Sequence, residues 1–119
     1  CDFLGTWLSP TEFSGDWAEN RRVSKEKSDM SRHIQIESIP TITGYKADTR
    51  ISLKPSESLS ALLDIYNVVV TGGTAKNAKA GKAAEELLAA KGSSLVVCGS
   101  NNKGVQTIVN AINNALGNY

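Results

Sequence analysis

The strongest candidate for a ligand site is the stretch LVVCGSNNKG at residues 95–104. An apolar run stops at Gly99, a polar loop follows, and an amphipathic pattern begins after Gly104. In open α/β sheets, ligands bind beyond the carboxyl ends of strands, where glycines admit them and the next helix N-terminus favours an anion. The loop matches neither the P-loop nor the G-x-G-x-x-G pattern. A nucleotide or phosphate site therefore competes here with an ordinary strand-to-helix turn.

Other chemistry-bearing side chains do not form a recognisable active site. His33 is the only histidine, and it opens a strand pattern after a polar loop, where an exposed side chain is expected. Cys98 closes an apolar run, so we expect a buried structural thiol rather than an activated nucleophile. Cys1 and Cys98 are the only cysteines, too few for an iron–sulfur or structural zinc site. The sequence predicts no catalytic residue and no metal ligand set.

Composition narrows the classes of partner. The 119 residues include 13 basic and 12 acidic side chains, which are interspersed and leave a formal net charge of +1. Such a balance gives no field that would attract nucleic acid or an anionic membrane. No apolar run approaches the roughly 20 residues of a transmembrane helix. We therefore expect one domain over residues 1–119, without a nucleic-acid partner or membrane insertion. Because the chain opens at Cys1, we expect a piece excised from a longer polypeptide.

The elements that would position these residues follow from hydrophobic periodicity. Alternation predicts strands over residues 33–37 and 50–54, and an uninterrupted apolar run predicts a central parallel strand over residues 94–98. Helical spacing and cap residues predict helices over residues 11–22, 56–66, 79–91 and 105–116. Strands that alternate with helices predict an α/β fold of three layers, in which helices flank a mostly parallel, Rossmann-like sheet.

Several stretches resemble a known family in the same order along the chain. Residues 41–48 read TITGYKAD, residues 50–63 read RISLKPSESLSALL, and residues 95–118 form a strand, loop and helix pattern ending in LGN. They resemble T-x-T-A-x-x-A-D, a strand leading to P-G-T-D-x-A-L, and a glycine-rich loop and helix closing on L-x-G-N. These motifs belong to the α/β cofactor domain of molybdopterin oxidoreductases of the dimethyl-sulfoxide-reductase type. Residues 2–10, 30–33 and 54–57 most resemble the molybdopterin-oxidoreductase-like iron–sulfur subunit of bacterial alternative complex III.

Departures from the family pattern bear on the cofactor. Where cofactor-binding members carry a G-x-N-P-like loop, D-P-R and P-G-T-D, this chain reads CDFLG at residues 1–5, IES at 36–38 and PSES at 55–58. Serines replace both the glycine of close approach and the aspartate that holds the guanine nucleotide. The resemblance therefore implies a structural scaffold for electron transfer in a respiratory quinol:electron-acceptor oxidoreductase, within a subunit that has lost the molybdenum cofactor.

The resemblance also implies the surroundings of the chain. Iron–sulfur clusters would be bound elsewhere in the full subunit, the partners would be other subunits of a membrane-bound respiratory complex, and the location would be the periplasmic side of the bacterial inner membrane. The alternative is a functional domain that binds molybdopterin guanine dinucleotide. Its cofactor-binding residues would be Asp2, Thr43, Asp48, Ser56, Gly99, Ser100 and Asn101. A third hypothesis is a free-standing nucleotide- or phosphate-binding module that uses only the last loop.

Overall fold

The computed structural model describes residues 1–119, which divide into two compact units, Cys1–Ser52 and Leu53–Tyr119. The chain is 49% helical, and its only sheet has two strands. None of its helices combines the length and the apolar character that crossing a membrane requires. Each unit has its own set of buried side chains and is described by itself.

The first unit contains two helices and both strands. Helix α1 spans Pro10–Glu19, strand β1 Ile34–Glu37, helix α2 Ile42–Lys46 and strand β2 Thr49–Ser52. The strands pair in parallel, with Ile34 opposite Thr49 and Glu37 opposite Ser52. Parallel strands need a crossover connection, and α2 provides it. The hydroxyl of Thr41 accepts the N–H of Gly44 and so caps the start of α2.

The more buried face of β1 is its polar one. Gln35 and Glu37 are only 6% and 9% exposed, whereas Ile34 and Ile36 are half-buried. Burying a polar side chain is costly unless hydrogen bonds satisfy it, so this face must carry a bonding network. The apolar residues Leu4 and Ile51 are also buried in this unit.

The second unit is helical. A 3-10 turn at Pro55–Glu57 leads into α3, Ser58–Tyr66, which continues through a π-helical turn at Asn67–Thr71. Helices α4, Ala78–Ala89, and α5, Lys103–Leu116, follow, and α3 contacts both of them. The buried apolar side chains of this unit are Ala61, Ile65, Ala80, Ala83, Ala84, Val109, Ile112 and Leu116.

Polar side chains close the ends of these helices. The buried carboxylate of Asp64 accepts the N–H groups of Lys76 and Asn77 at 3.1 and 2.9 Å. The side chain of Asn77 in turn accepts the N–H groups of Lys79 and Ala80 at the start of α4. Because the first N–H groups of a helix have no partner within the helix, these bonds satisfy groups that would otherwise be unpaired.

The predicted three-layer, mostly parallel, Rossmann-like sheet is wrong, because the sheet consists of β1 and β2 alone. The predicted central strand at residues 94–98 pairs with no other strand. The N–H of Val96 instead donates to Asn113 Oδ1 at 2.9 Å, and its carbonyl accepts from Asn113 Nδ2 at 2.8 Å. A side-chain amide on α5 occupies the position that a neighbouring strand would take.

The remaining element predictions are confirmed, with small differences at their ends. The helices predicted over residues 11–22, 56–66, 79–91 and 105–116 correspond to α1, α3, α4 and α5, and the first two predicted strands to β1 and β2. Gly117 ends α5 with a φ of 67°, a conformation that glycine adopts without strain. Helix α2 was not predicted, because five residues are too few to show a helical stripe.

Replacing Ile112 by alanine tests the core of the second unit. Ile112 is fully buried, so Ile112→Ala should lower the free energy of unfolding by about 2–5 kcal/mol through lost burial and a residual cavity. Urea denaturation measures this change. Asn114→Ala, at an exposed position of the same helix, should change it by less than about 1 kcal/mol. Equal effects of the two substitutions would contradict this packing.

Candidate functional site

Two residues predicted to bind the cofactor in the alternative hypothesis, Asp2 and Thr43, bind each other. Asp2 Oδ1 accepts the backbone N–H of Thr43 at 3.0 Å and its hydroxyl at 2.8 Å. The same hydroxyl oxygen accepts the N–H of Leu4 at 3.0 Å. The hydrogen bonds from Thr43 lower the pKa of the Asp2 carboxyl, which is therefore ionised at neutral pH. The carboxylate ties the beginning of the chain to the first turn of α2.

A third residue predicted to bind the cofactor, Asp48, is held by an arginine. Arg21 Nη1 and Nη2 donate to the two oxygens of Asp48 at 2.8 and 2.6 Å, a bidentate pairing that suits both planar groups. The N–H of His33 also donates to Asp48 Oδ2 at 2.8 Å. Hydrogen bonds from Arg21 and His33 lower the pKa of Asp48 to about 2. This carboxylate therefore joins Arg21, which follows α1, to His33, which precedes β1.

The imidazole of His33 lies among aromatic side chains. Its ring centroid is 5.7 Å from that of Phe3 and 5.9 Å from that of Trp17, and the Arg21 guanidinium stacks 4.7 Å from the centroid of Trp17. The expectation of an exposed histidine is wrong, because the side chain is half-buried and Nδ1 has no hydrogen-bond partner. Burial lowers the pKa of His33, so the ring is neutral at pH 7.

Glu37 is a buried charged group of this unit that no sequence pattern indicated. Its Oε1 accepts from Arg50 Nε and from the N–H of Thr41, and its Oε2 accepts from the hydroxyl of Thr41 and from Gln35 Nε2. Burial alone would raise the pKa of Glu37, but hydrogen bonds from Arg50, Thr41 and Gln35 outweigh it and lower the pKa. The sequence offers no signal for this contact, because it depends on the parallel register, which sets Arg50 opposite Gln35 and Ser52 opposite Glu37.

Gly44 leaves the space that the Glu37 carboxylate occupies. A Cβ atom built on Gly44 would lie 1.9 Å from Glu37 Oε1, far inside van der Waals contact. Glycine at position 44 and the buried carboxylate of Glu37 therefore belong to the same local packing.

The loop after residue 98 is closed by its own side chains. Asn102 Oδ1 accepts the N–H groups of Gly104 and Val105 at 2.9 and 3.3 Å and caps α5. Gln106 Nε2 donates to the carbonyls of Cys98 and Ser100 at 2.9 and 2.6 Å. The asparagine cap occupies helix N–H groups that an anion would use. This geometry is typical of a capped turn that leads into a helix.

The remaining residues that were predicted to bind molybdopterin guanine dinucleotide make few hydrogen bonds. Gly99 and Asn101 are exposed, and the Ser100 hydroxyl accepts the N–H of Asn102 at 3.2 Å. Ser56 is exposed in the 3-10 turn. Asp2, Thr43 and Asp48 lie in the first unit, where Asp2 and Thr43 bind each other and Asp48 contacts Arg21 and His33 instead.

The polar side chains described above hold segments of the chain together and do not form a reactive site. No three His, Cys, Asp or Glu side chains are grouped to hold a metal ion. Both cysteines carry free thiols, and Cys98 is half-buried rather than fully buried as expected. The carboxylate of Asp48 accepts hydrogen bonds from protein groups on both oxygens, and that of Asp2 accepts them on Oδ1.

Gly44→Ala tests the packing of the buried carboxylate. The added methyl group must displace Glu37 from its hydrogen bonds, so we expect the free energy of unfolding to fall by about 1–3 kcal/mol. Gly15→Ala is the matched control, because Gly15 lies within α1 and its Cβ would meet nothing within 4 Å. The control should stabilise the protein by about 0.5–1 kcal/mol through helix propensity. Stabilisation by both substitutions would contradict the described position of Glu37.

The pairing of Asp48 predicts a pH dependence of stability. Its folded pKa of about 2 lies below the ordinary 3.8, so its contribution is present above pH 3.8 and is lost as pH falls towards 2. Asp48→Asn should destabilise the protein at about pH 6. The difference in the free energy of unfolding between the variant and wild type should shrink by on the order of 1 kcal/mol at about pH 2.5.

Denaturant titrations at the two pH values measure this difference. Asp16→Asn is the control, because Asp16 is exposed and its carboxylate makes no hydrogen bond. The control should show a difference that does not change with pH. If the loss of stability caused by Asp48→Asn were equally independent of pH, the ion pair with Arg21 could not be its cause.

Comparison with known proteins identifies no family for the chain. No protein-family model matches it, and no curated protein matches it significantly.

Proposed function

We propose that this chain is a structural part of a molybdopterin-oxidoreductase-like subunit in a respiratory quinol:electron-acceptor oxidoreductase of the alternative complex III type, and that it binds no molybdenum cofactor. The role rests on the resemblance of residues 41–48, 50–63 and 95–118 to that family, and the loss of the cofactor rests on Asp48, both of whose carboxylate oxygens bind Arg21. A carboxylate that recognises a nucleotide must keep acceptor capacity for it. This carboxylate instead holds segments of its own unit together.

The redox chemistry in this proposal lies outside the chain. Iron–sulfur clusters need grouped thiolates, and this chain has only Cys1 and Cys98. The clusters would therefore be bound elsewhere in the full subunit, and the chain would contribute packing surface between the other subunits of the complex. The location would be the periplasmic side of the inner membrane. Within the subunit, the chain would keep the architecture of the two small units described above.

Elemental and nucleotide analysis of the full-length purified subunit tests the proposal. We expect iron without molybdenum, and no guanine nucleotide released on denaturation. A cofactor-containing molybdoenzyme produced in the same host is the positive control for cofactor supply. Stoichiometric molybdenum together with guanine nucleotide would overturn the scaffold function and support the binding of molybdopterin guanine dinucleotide.

Two substitutions make the test residue-specific. In a scaffold, Asp2→Ala should lower thermal stability because Thr43 loses a charged acceptor, whereas Ser56→Ala at an exposed position should leave stability unchanged. In a cofactor-binding domain both substitutions should lower the bound guanine nucleotide. Thermal unfolding and nucleotide analysis of the same samples separate the two functions.

A further inference from the structure

Residues 95–98 form an extended segment, one edge of which α5 occupies. The N–H and the carbonyl of Val96 both bind the side-chain amide of Asn113. In an extended strand both groups of one residue point to the same side, and those of the adjacent residues point to the opposite side. The backbone groups of Leu95 and Val97 therefore face away from α5.

The outer edge of this segment is unprotected. The backbone groups of Leu95 and Val97 make no hydrogen bond, and their side chains are 65% and 44% exposed. Proteins usually guard such edges with charges, proline or a covering element. No charged residue and no proline occurs between Lys91 and Lys103. The edge therefore has the donors, the acceptors and the apolar side chains that a partner strand requires.

We propose that this edge pairs with the same edge of a second copy of the chain, antiparallel and centred on Val96. In that register Leu95 lies opposite Val97 of the second copy, and each such pair exchanges both of its N–H and carbonyl bonds. Val96, whose own groups bind Asn113, falls on the two-fold axis at a non-hydrogen-bonded pair. The backbone groups that are free on one copy, those of Leu95 and Val97, therefore meet the free groups of Val97 and Leu95 on the other copy.

Charge does not oppose pairing with a second copy, and the size of the contact limits its strength. The register places Lys91 opposite Asn101 of the second copy, so no two lysines face each other. The contact consists of short backbone pairing and the side chains of Leu95 and Val97, well below the roughly 1,200 Å² typical of stable interfaces. The dimer is therefore weak, and it forms only at high protein concentration.

Sedimentation velocity tests the association between about 10 μM and about 1 mM protein. We expect the average mass to rise towards that of a dimer over this range. The double variant Leu95→Lys and Val97→Lys places like charges across the pair and should weaken the association at least about tenfold. Leu8→Lys is the matched control, because Leu8 is 93% exposed in the other unit, and it should dimerise like wild type.

Amide hydrogen exchange tests the register without any substitution. The amide of Val96 donates to Asn113 in the monomer and should exchange slowly at both ends of the concentration range. The amides of Leu95 and Val97 should become protected only at the high concentration. The proposal is overturned by a chain that stays monomeric throughout, or by a dimer in which these two amides show no added protection. A dimer that survives the double lysine variant would overturn it as well.

Discussion

A carboxylate buried at the end of a strand must be hydrogen-bonded, and the first unit depends on how this requirement is met at Glu37. Removing an ionised group from water costs several kcal/mol unless charged and polar partners replace the lost solvation. Arg50 on the neighbouring strand, Thr41 at the cap of α2, and Gln35 supply those partners. One side chain therefore joins β1, β2 and the start of the crossover helix.

The second unit meets the same constraint with other groups. Asp64 receives the N–H groups that precede α4, Asn102 caps α5, and Asn113 binds both backbone groups of Val96. In each case a polar side chain binds backbone groups that have no partner within a helix or a sheet. The extended segment at residues 95–98 is accordingly held by a helix on one edge and left open on the other.

The same networks in the first unit include two residues that were predicted to bind a cofactor, Asp2 and Asp48. Asp2 and Asp48 are acidic and lie near turns, features shared by ligand-binding carboxylates and structural ones. What distinguishes the two kinds is whether acceptor capacity remains after the protein's own donors are satisfied. Thr43 occupies an oxygen of Asp2, and Arg21 occupies both oxygens of Asp48. Both carboxylates therefore hold segments of the first unit together.

The sequence by itself determined the helices α1, α3, α4 and α5 and the strands β1 and β2, because hydrophobic spacing, caps and glycine stops are local signals. It could not determine the partner of residues 94–98, since a strand exists only when another backbone pairs with it. Tertiary structure decided that Asn113 binds Val96, that Glu37 is buried against Gly44, and that Arg21 holds Asp48. Each of these outcomes depends on side chains distant in sequence or on packing around one buried charge, which a linear pattern does not encode.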